Sequence, residues 1–327
     1  MATETLGSLL ERRLVIVTGK GGTGKTTVAA ALAVAAARSG RRVLVAETGR
    51  DEQLPRLLAP GSPAVGYEGR EVLPGITAMR IDPFDALAEY LSLQVGMRSL
   101  VDLVLRNRSF RQLMSAAPGW RDLITLGKVW HIEQMTDGDG GPRYDLIVVD
   151  APATGHGVTF LDVPHVVVSA VRAGPLRRNA QRVEQMVVDP ERTLLLPVAL
   201  AEELPTRETA ELVERLRADV GITIDRAVVN GVFPAPFPEA LHDLDERLAA
   251  LSDALPLGEL PRPTTLAACA RHLRARFELN RGYITEIGRL TGLPVVSLPY
   301  LAQGIEGPAE IGRLADALVE PPRSVAA

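Results

Sequence analysis

Apolar residues collect in short runs rich in valine, isoleucine and leucine, and between those runs they recur at helical spacing. Runs over 14–18, 42–47, 76–81, 145–150, 194–200, 224–230 and 295–298 read as buried strands. Helical periods cover 26–39, 206–219, 238–252, 265–290 and 307–319, and Gly40 supplies a stop for the first. Strands alternating with helices predict an α/β fold with a mostly parallel central sheet flanked by helices. Residues 83–136 break the rhythm. No strand stands out there, several helices follow one another, and Pro118-Gly119 marks a break. A right-handed crossover needs only one helix, so this stretch predicts an all-helical insertion, 83–136, within a domain made of 1–82 and 137–327. The glycine-rich turn at 137–142 is a loop before the next strand.

Between the first strand and the first helix lies Gly19-Lys20-Gly21-Gly22-Thr23-Gly24-Lys25-Thr26, with Thr27 following. This fits G-x-x-x-x-G-K-[ST] in the strand–loop–helix setting the motif requires. Glycines let backbone N–H groups turn toward phosphate oxygens, and the helix presents its positive end to them. Lys25 is placed to reach the β- and γ-phosphates, and the Thr26 hydroxyl to ligate magnesium. The predicted ligands are therefore ATP and Mg²⁺. A second acidic signal is the run 146–150, which ends in Asp150. A carboxylate at a strand's C-terminal edge lies where parallel sheets bind ligands, and it can face magnesium's water shell.

Composition narrows the function classes. With 36 basic and 40 acidic side chains, the net charge of -4 gives no reason to expect nucleic acid, and 4% aromatics argue against a base-stacking surface. The single cysteine, Cys269, excludes an internal disulfide and a cysteine-held metal cluster within one chain; it reads as a buried thiol. The longest aliphatic run, 28–37, is too short to span a bilayer, and the N-terminal residues lack an apolar leader core. The expectation is a cytoplasmic protein without stable membrane insertion.

Lys20-Gly21-Gly22-Thr23-Gly24-Lys25-Thr26, with its additional early lysine, resembles the deviant phosphate loop of the arsenite-pump, partition and nitrogenase-iron-protein ATPases. Asp150-Ala151-Pro152-Ala153-Thr154-Gly155-His156 resembles the D-T-A-P-T-G-H run of the arsenite-pump and guided-entry ATPases. Three further stretches are similar to segments of that family: 201–209 (A-E-E-L-P-T-R-E-T), Val228-Val229-Asn230, and 298–301 (L-P-Y-L). The resemblance covers about 12–320 and points to a cysteine-poor bacterial member of the arsenite-pump/guided-entry family. It implies a nucleotide-switched homodimer, or a heterodimer with a related ATPase. Lys20 would then point at the partner's nucleotide, Asn230, Pro299 and Tyr300 would contact the base, and the helical insertion would shelter a hydrophobic client segment. The insertion is strongly apolar, although packing among its own helices also requires apolar faces.

The chain departs from the family pattern after the second strand. Where the family reads S-T-D-P-A-H-N-L, this chain has Glu47-Thr48-Gly49-Arg50-Asp51-Glu52-Gln53-Leu54, which puts Gly49 at the water-orienting aspartate. Glu47 and Asp51 are the candidate substitutes. Losing that acid costs rate more than binding.

Overall fold

The computed structural model describes residues 9–49, 51–95, 107, 108, 112, 114, 119–153, 157–255 and 258–319. The Thr154-Gly155-His156 portion of the second motif, Arg106, Arg111, and most of the apolar stretch 96–118 lie outside these described residues.

One sheet of eight strands runs in the order β3-β4-β2-β5-β1-β6-β7-β8. The strands are β1 Leu14–Thr18, β2 Val43–Glu47, β3 Arg70–Leu73, β4 Ile76–Arg80, β5 Leu146–Asp150, β6 Thr193–Leu200, β7 Ala227–Val232 and β8 Val295–Pro299. All neighbours pair parallel except β3, which is antiparallel to β4. Every residue of β1, β2 and β5 is buried, as expected of parallel strands covered on both faces. The seven strands expected from the apolar runs are present within a few residues of their anticipated ends. Strand β3 was not expected. Its Arg-Glu-Val-Leu sequence is only half-buried, and it forms by folding back on β4 through Gly75 at φ +77, whose N–H donates to Glu71 Oε1 at 2.9 Å.

Helices α1 Lys25–Arg38, α2 Leu54–Leu58 and, late in the chain, α10 Pro308–Val319 close one face of the sheet around a core that includes Val28, Leu32, Val45, Val148 and Leu314. The opposite face carries α3 Pro83–Val95, α4 Trp120–Glu133, α5 Gly157–Ala170, α6 Pro175–Val188, α7 Glu203–Arg215 and α9 Pro263–Thr291, with α8 Leu244–Ala249 packed on α9. Within the expected insertion, the described stretches 83–95 and 120–133 are helical. Helices α5 and α6 add to that side, with Val163 and Ala180 packing on Leu123 of α4. The apolar stretch of α5, Gly-Val-Thr-Phe-Leu-Asp-Val-Pro-His-Val-Val-Val, has β-branched residues and an internal Pro164, so its helicity is set by packing and not by propensity. The helix expected over 238–252 is instead a short 3₁₀ turn, Glu239–Leu241, followed by α8. No described helix is long and apolar enough to cross a membrane.

Cys269 corrects an expectation: it is exposed. On α9 the inward positions are Ala267 and Ala270, and position 269 falls on the outer side of the same turn. Ellman's reagent should therefore titrate one thiol per native chain without denaturant, and Cys269→Ser should abolish the signal. A thiol that reacts only after unfolding contradicts this placement.

Candidate nucleotide site

Helix α1 is alanine-rich and lies buried from Val28 to Ala36 between the sheet and α10. Small side chains let it approach β1 and β5 closely while keeping strong helix propensity. Its start is thereby fixed at the C-terminal edge of β1, where the loop 19–24 turns into it. The first turn itself holds no acidic residue, and the acid that reaches the helix start is Asp150 from β5, through Thr26. Gly24, at φ +86, begins the helix; a Cβ there would stand 2.2 Å from Asn230 Nδ2. Gly19, at φ +148, would place a Cβ 2.2 Å from the Val198 carbonyl oxygen, a backbone atom that cannot swing away. Both glycines are therefore demanded by conformation and by close approach.

The loop is braced from within and from behind. The Lys20 carbonyl accepts from Thr23 Oγ1 at 2.9 Å and from Lys25 Nζ at 3.1 Å. Asn230 Nδ2, at the end of β7, donates to the Thr23 carbonyl at 3.0 Å. Lys20 forms an ion pair with Glu208 of α7 in the same chain. Gly21, Gly22 and Thr27 complete the loop and the first turn beside these groups. Thr26 Oγ1 donates to Asp150 Oδ2 at 2.5 Å, joining the helix start to the end of β5. Burial raises the Asp150 carboxyl to about 6, against the opposing pull of the Thr26 hydroxyl and the Lys25 ammonium. Lys25 is in turn shifted down by burial, with Asp150 opposing.

One strand over, Glu47 ends β2 in register with Asp150 and is 2% exposed. Its Oε1 accepts from the Gln53 and Leu54 amides at 2.7 and 3.1 Å. Burial lifts its carboxyl to about 7, partly offset by those two amides. Asp51 is exposed on the loop after β2. Among the described residues a Cβ at Gly49 would meet only the Asp51 carbonyl oxygen, at 3.8 Å, and a cavity of about 310 Å³ opens beside it, walled by Asp82, Arg121, Asp122 and Pro152.

The residues expected to contact a base lie at the ends of β7 and β8. Tyr300 N–H donates to the Val232 carbonyl at 2.8 Å, and its ring stacks on Phe233 with centroids 4.6 Å apart. The Arg276 guanidinium lies 4.8 Å from the Phe233 centroid. Pro299 pairs with Val232 across the strands, whereas the Asn230 amide is turned to the phosphate loop. Glu208, Phe233 and Arg276 were not singled out from the sequence. Glu208 stood inside the 201–209 motif, and Phe233 follows Asn230 by three residues in a chain with only six phenylalanines.

An implied magnesium ion can be tested against these groups. Among the described residues, Asp150 Oδ1 and Glu47 Oε2 are both buried without a hydrogen-bond partner, oxygens that a cation and its waters would satisfy. No group of three or more His, Cys, Asp or Glu among the described residues could hold a metal by itself. Magnesium does not need such a cage, since it is bound through one or two carboxylates and the substrate's phosphates. The residues present fit the ion.

Residues 12–177 match the model of the anion-transporting ATPase family. The chain is 34% identical over 228 residues to the ATPase BagA of Mycobacterium tuberculosis, covering 68% of this chain and 66% of that one, just under two thirds of its length. It is 30% identical over 314 residues to an arsenical pump-driving ATPase of Acidiphilium multivorum, covering 88% of this chain and 52% of the relative. Similarity to the ATPase GET3 of Lachancea thermotolerans is 23% over 330 residues, or 90% and 85% of the two chains.

Glu47 predicts a pH dependence. Its pKa is higher folded than unfolded, so the native state holds the proton more tightly. That stabilisation is complete below about 4.5 and is lost as pH rises through the folded value near 7. Unfolding free energy of the nucleotide-free chain should therefore fall across this window, by on the order of 3 kcal/mol from Glu47. Urea titrations at stepped pH should show the fall flattened between pH 6 and 7 in Glu47→Gln. An unchanged slope rules out Glu47 as its source.

Proposed function

The chain belongs to the anion-transporting ATPase family, and on that footing we propose that it is a magnesium-dependent ATP hydrolase that switches conformation with its nucleotide. The observation that carries this reading is the junction of Thr26 with Asp150 beside Lys25 at the start of α1, with one Asp150 oxygen buried and unpartnered. Backbone amides of the loop and the α1 terminus would hold the phosphate chain, with Lys25 at its β- and γ-groups. Thr26 and Asp150 would hold magnesium, which when bound neutralises charge on the transferring phosphoryl group. Pro299 and Tyr300 would form the base end beside the Phe233 and Arg276 stack, and Asn230, whose amide bonds the Thr23 carbonyl, would have to turn to join them.

Dimerisation belongs to the same proposal. Lys20 is paired with Glu208 in its own chain and would exchange that partner for phosphate across a dimer interface. The helical insertion expected over 83–136 would move with the dimer. A hydrophobic client would find apolar side chains, Leu93, Leu123, Ile124 and Leu176, in a cavity of about 190 Å³ among α3, α4 and α6 that Glu89, Lys128, His131 and Arg182 also line. The relatives' names place them as ATPases, one driving an arsenical pump. With a single cysteine, arsenite binding by several thiolates does not carry over to this chain. We place the protein in the cytoplasm, with no nucleic-acid partner.

A second reading is favoured by Gly49 and by the burial of Glu47: a low-turnover, nucleotide-sensing subunit paired with a related ATPase chain. Size-exclusion chromatography with and without ATP, on the chain alone and with related chains, distinguishes the two.

Calorimetry should give saturable Mg·ATP binding that Lys25→Ala abolishes. Lys20→Ala should weaken binding less than Lys25→Ala but lower turnover by as much as 10³-fold, on the order of a lost arginine finger. Equal binding by wild type and Lys25→Ala overturns the assignment. Because the space at Gly49 is open, Gly49→Asp should fold normally and raise turnover at saturating Mg·ATP. An unchanged rate in that variant means the missing acid does not limit hydrolysis.

A further inference from the structure

Glu47 has a chemistry that the phosphate-loop reading leaves unused. Along β2, Val43 and Val45 point into the core under α1; along β5, Leu146 and Val148 do the same. Side chains alternate along a strand, so Glu47 and Asp150, the next positions in each series, face that same side. The two residues are paired in register on adjacent strands. The side they face is where Thr26 bonds to Asp150.

The two oxygens of Glu47 differ. Oε1 accepts from the Gln53 and Leu54 amides, while Oε2 is buried and has no partner among the described residues. Bracing that backbone requires a single acceptor oxygen, which a glutamine supplies without a buried charge. Burying a carboxylate with one oxygen unsatisfied is costly unless a cation compensates it. Asp150 Oδ1 is in the same condition one strand away.

We propose that Glu47 is a second carboxylate of the cation site, accepting from the waters of the magnesium ion, while its other oxygen ties that ion to the amides of Gln53 and Leu54. The assignment rests on the nucleotide reading above and goes beyond it in two ways. It makes Glu47 a positioning residue for the metal instead of the acid that activates water. It also gives the loop after β2 a direct means of registering metal occupancy. Asp150 and Thr26 face the ion from β5 and α1, Lys25 balances the charge, and Glu52 is the further acid near Glu47.

The test uses the full chain and a non-hydrolysable ATP analogue. Calorimetry in EDTA, then across a magnesium series, separates nucleotide binding from metal dependence. Glu47→Gln keeps the acceptor for both amides and so preserves the loop. In EDTA it should bind the analogue as wild type does. The magnesium concentration giving half-maximal enhancement should rise on the order of 10-fold, the usual scale for losing an outer-shell partner. Glu47→Asp should recover part of that loss. Manganese substituted for magnesium gives a paramagnetic readout of the same shift that does not depend on turnover. Amide exchange at Gln53 and Leu54 should slow on adding metal in wild type and not in Glu47→Gln.

A Glu47→Gln magnesium series that superimposes on wild type overturns the assignment while leaving the nucleotide reading intact. Wild-type protein that binds no analogue in either condition removes the nucleotide reading, and this inference with it.

Discussion

Residues Val28 to Ala36 of α1 are all buried, which presses the helix between α10 and the middle of the sheet. A helix held on all sides cannot slide or tilt to suit a ligand. Its first amides therefore stand at a fixed place over the ends of β1 and β5, and the ligand must come to them. The alanines make this possible, because larger side chains at the same positions would lift the helix away from the strands. The remaining parts of the site attach to that fixed point: the loop through its glycines, Asp150 through Thr26, and the rear wall through Asn230.

Around this anchor the charges are arranged as a polyanion site requires. The helix end, Lys20 and Lys25 supply positive potential. Glu47 and Asp150 are set one layer deeper, in the sheet edge, with their protonated forms favoured by burial. Acids this close to an anion site are unfavourable unless a divalent cation stands between them and the phosphates. On the proposed reading, a nucleotide that arrives with its metal would suit this geometry better than the bare nucleotide.

Much of this was legible in the sequence, and the physical reasons are particular. Fully buried parallel strands such as β1 and β5 have no polar alternation to confuse with a helix, and their ends fell within a residue of expectation. The loop 19–24 is a local structure, written by glycines at fixed spacing, so its place between β1 and α1 was legible. Strand β3 escaped because it depends on its hairpin partner and not on its own apolarity. Helix α5 escaped because its β-branched residues and Pro164 argue locally against the form that packing imposes. Cys269 was misjudged because residue type alone does not say which side of a helix a position occupies. The Glu208 pairing and the Glu47 bonds to the Gln53 and Leu54 amides join groups 188 and 6 to 7 positions apart and depend on geometry that no spacing rule encodes.

The intrachain pair between Lys20 and Glu208 has a kinetic consequence. Both side chains keep contact with water, 45% and 27% exposed, so the attachment is worth about 0–1 kcal/mol and fades with salt. Such a tether orients the lysine at almost no energetic penalty for letting go. The ammonium is held in a position from which any more concentrated negative charge can draw it.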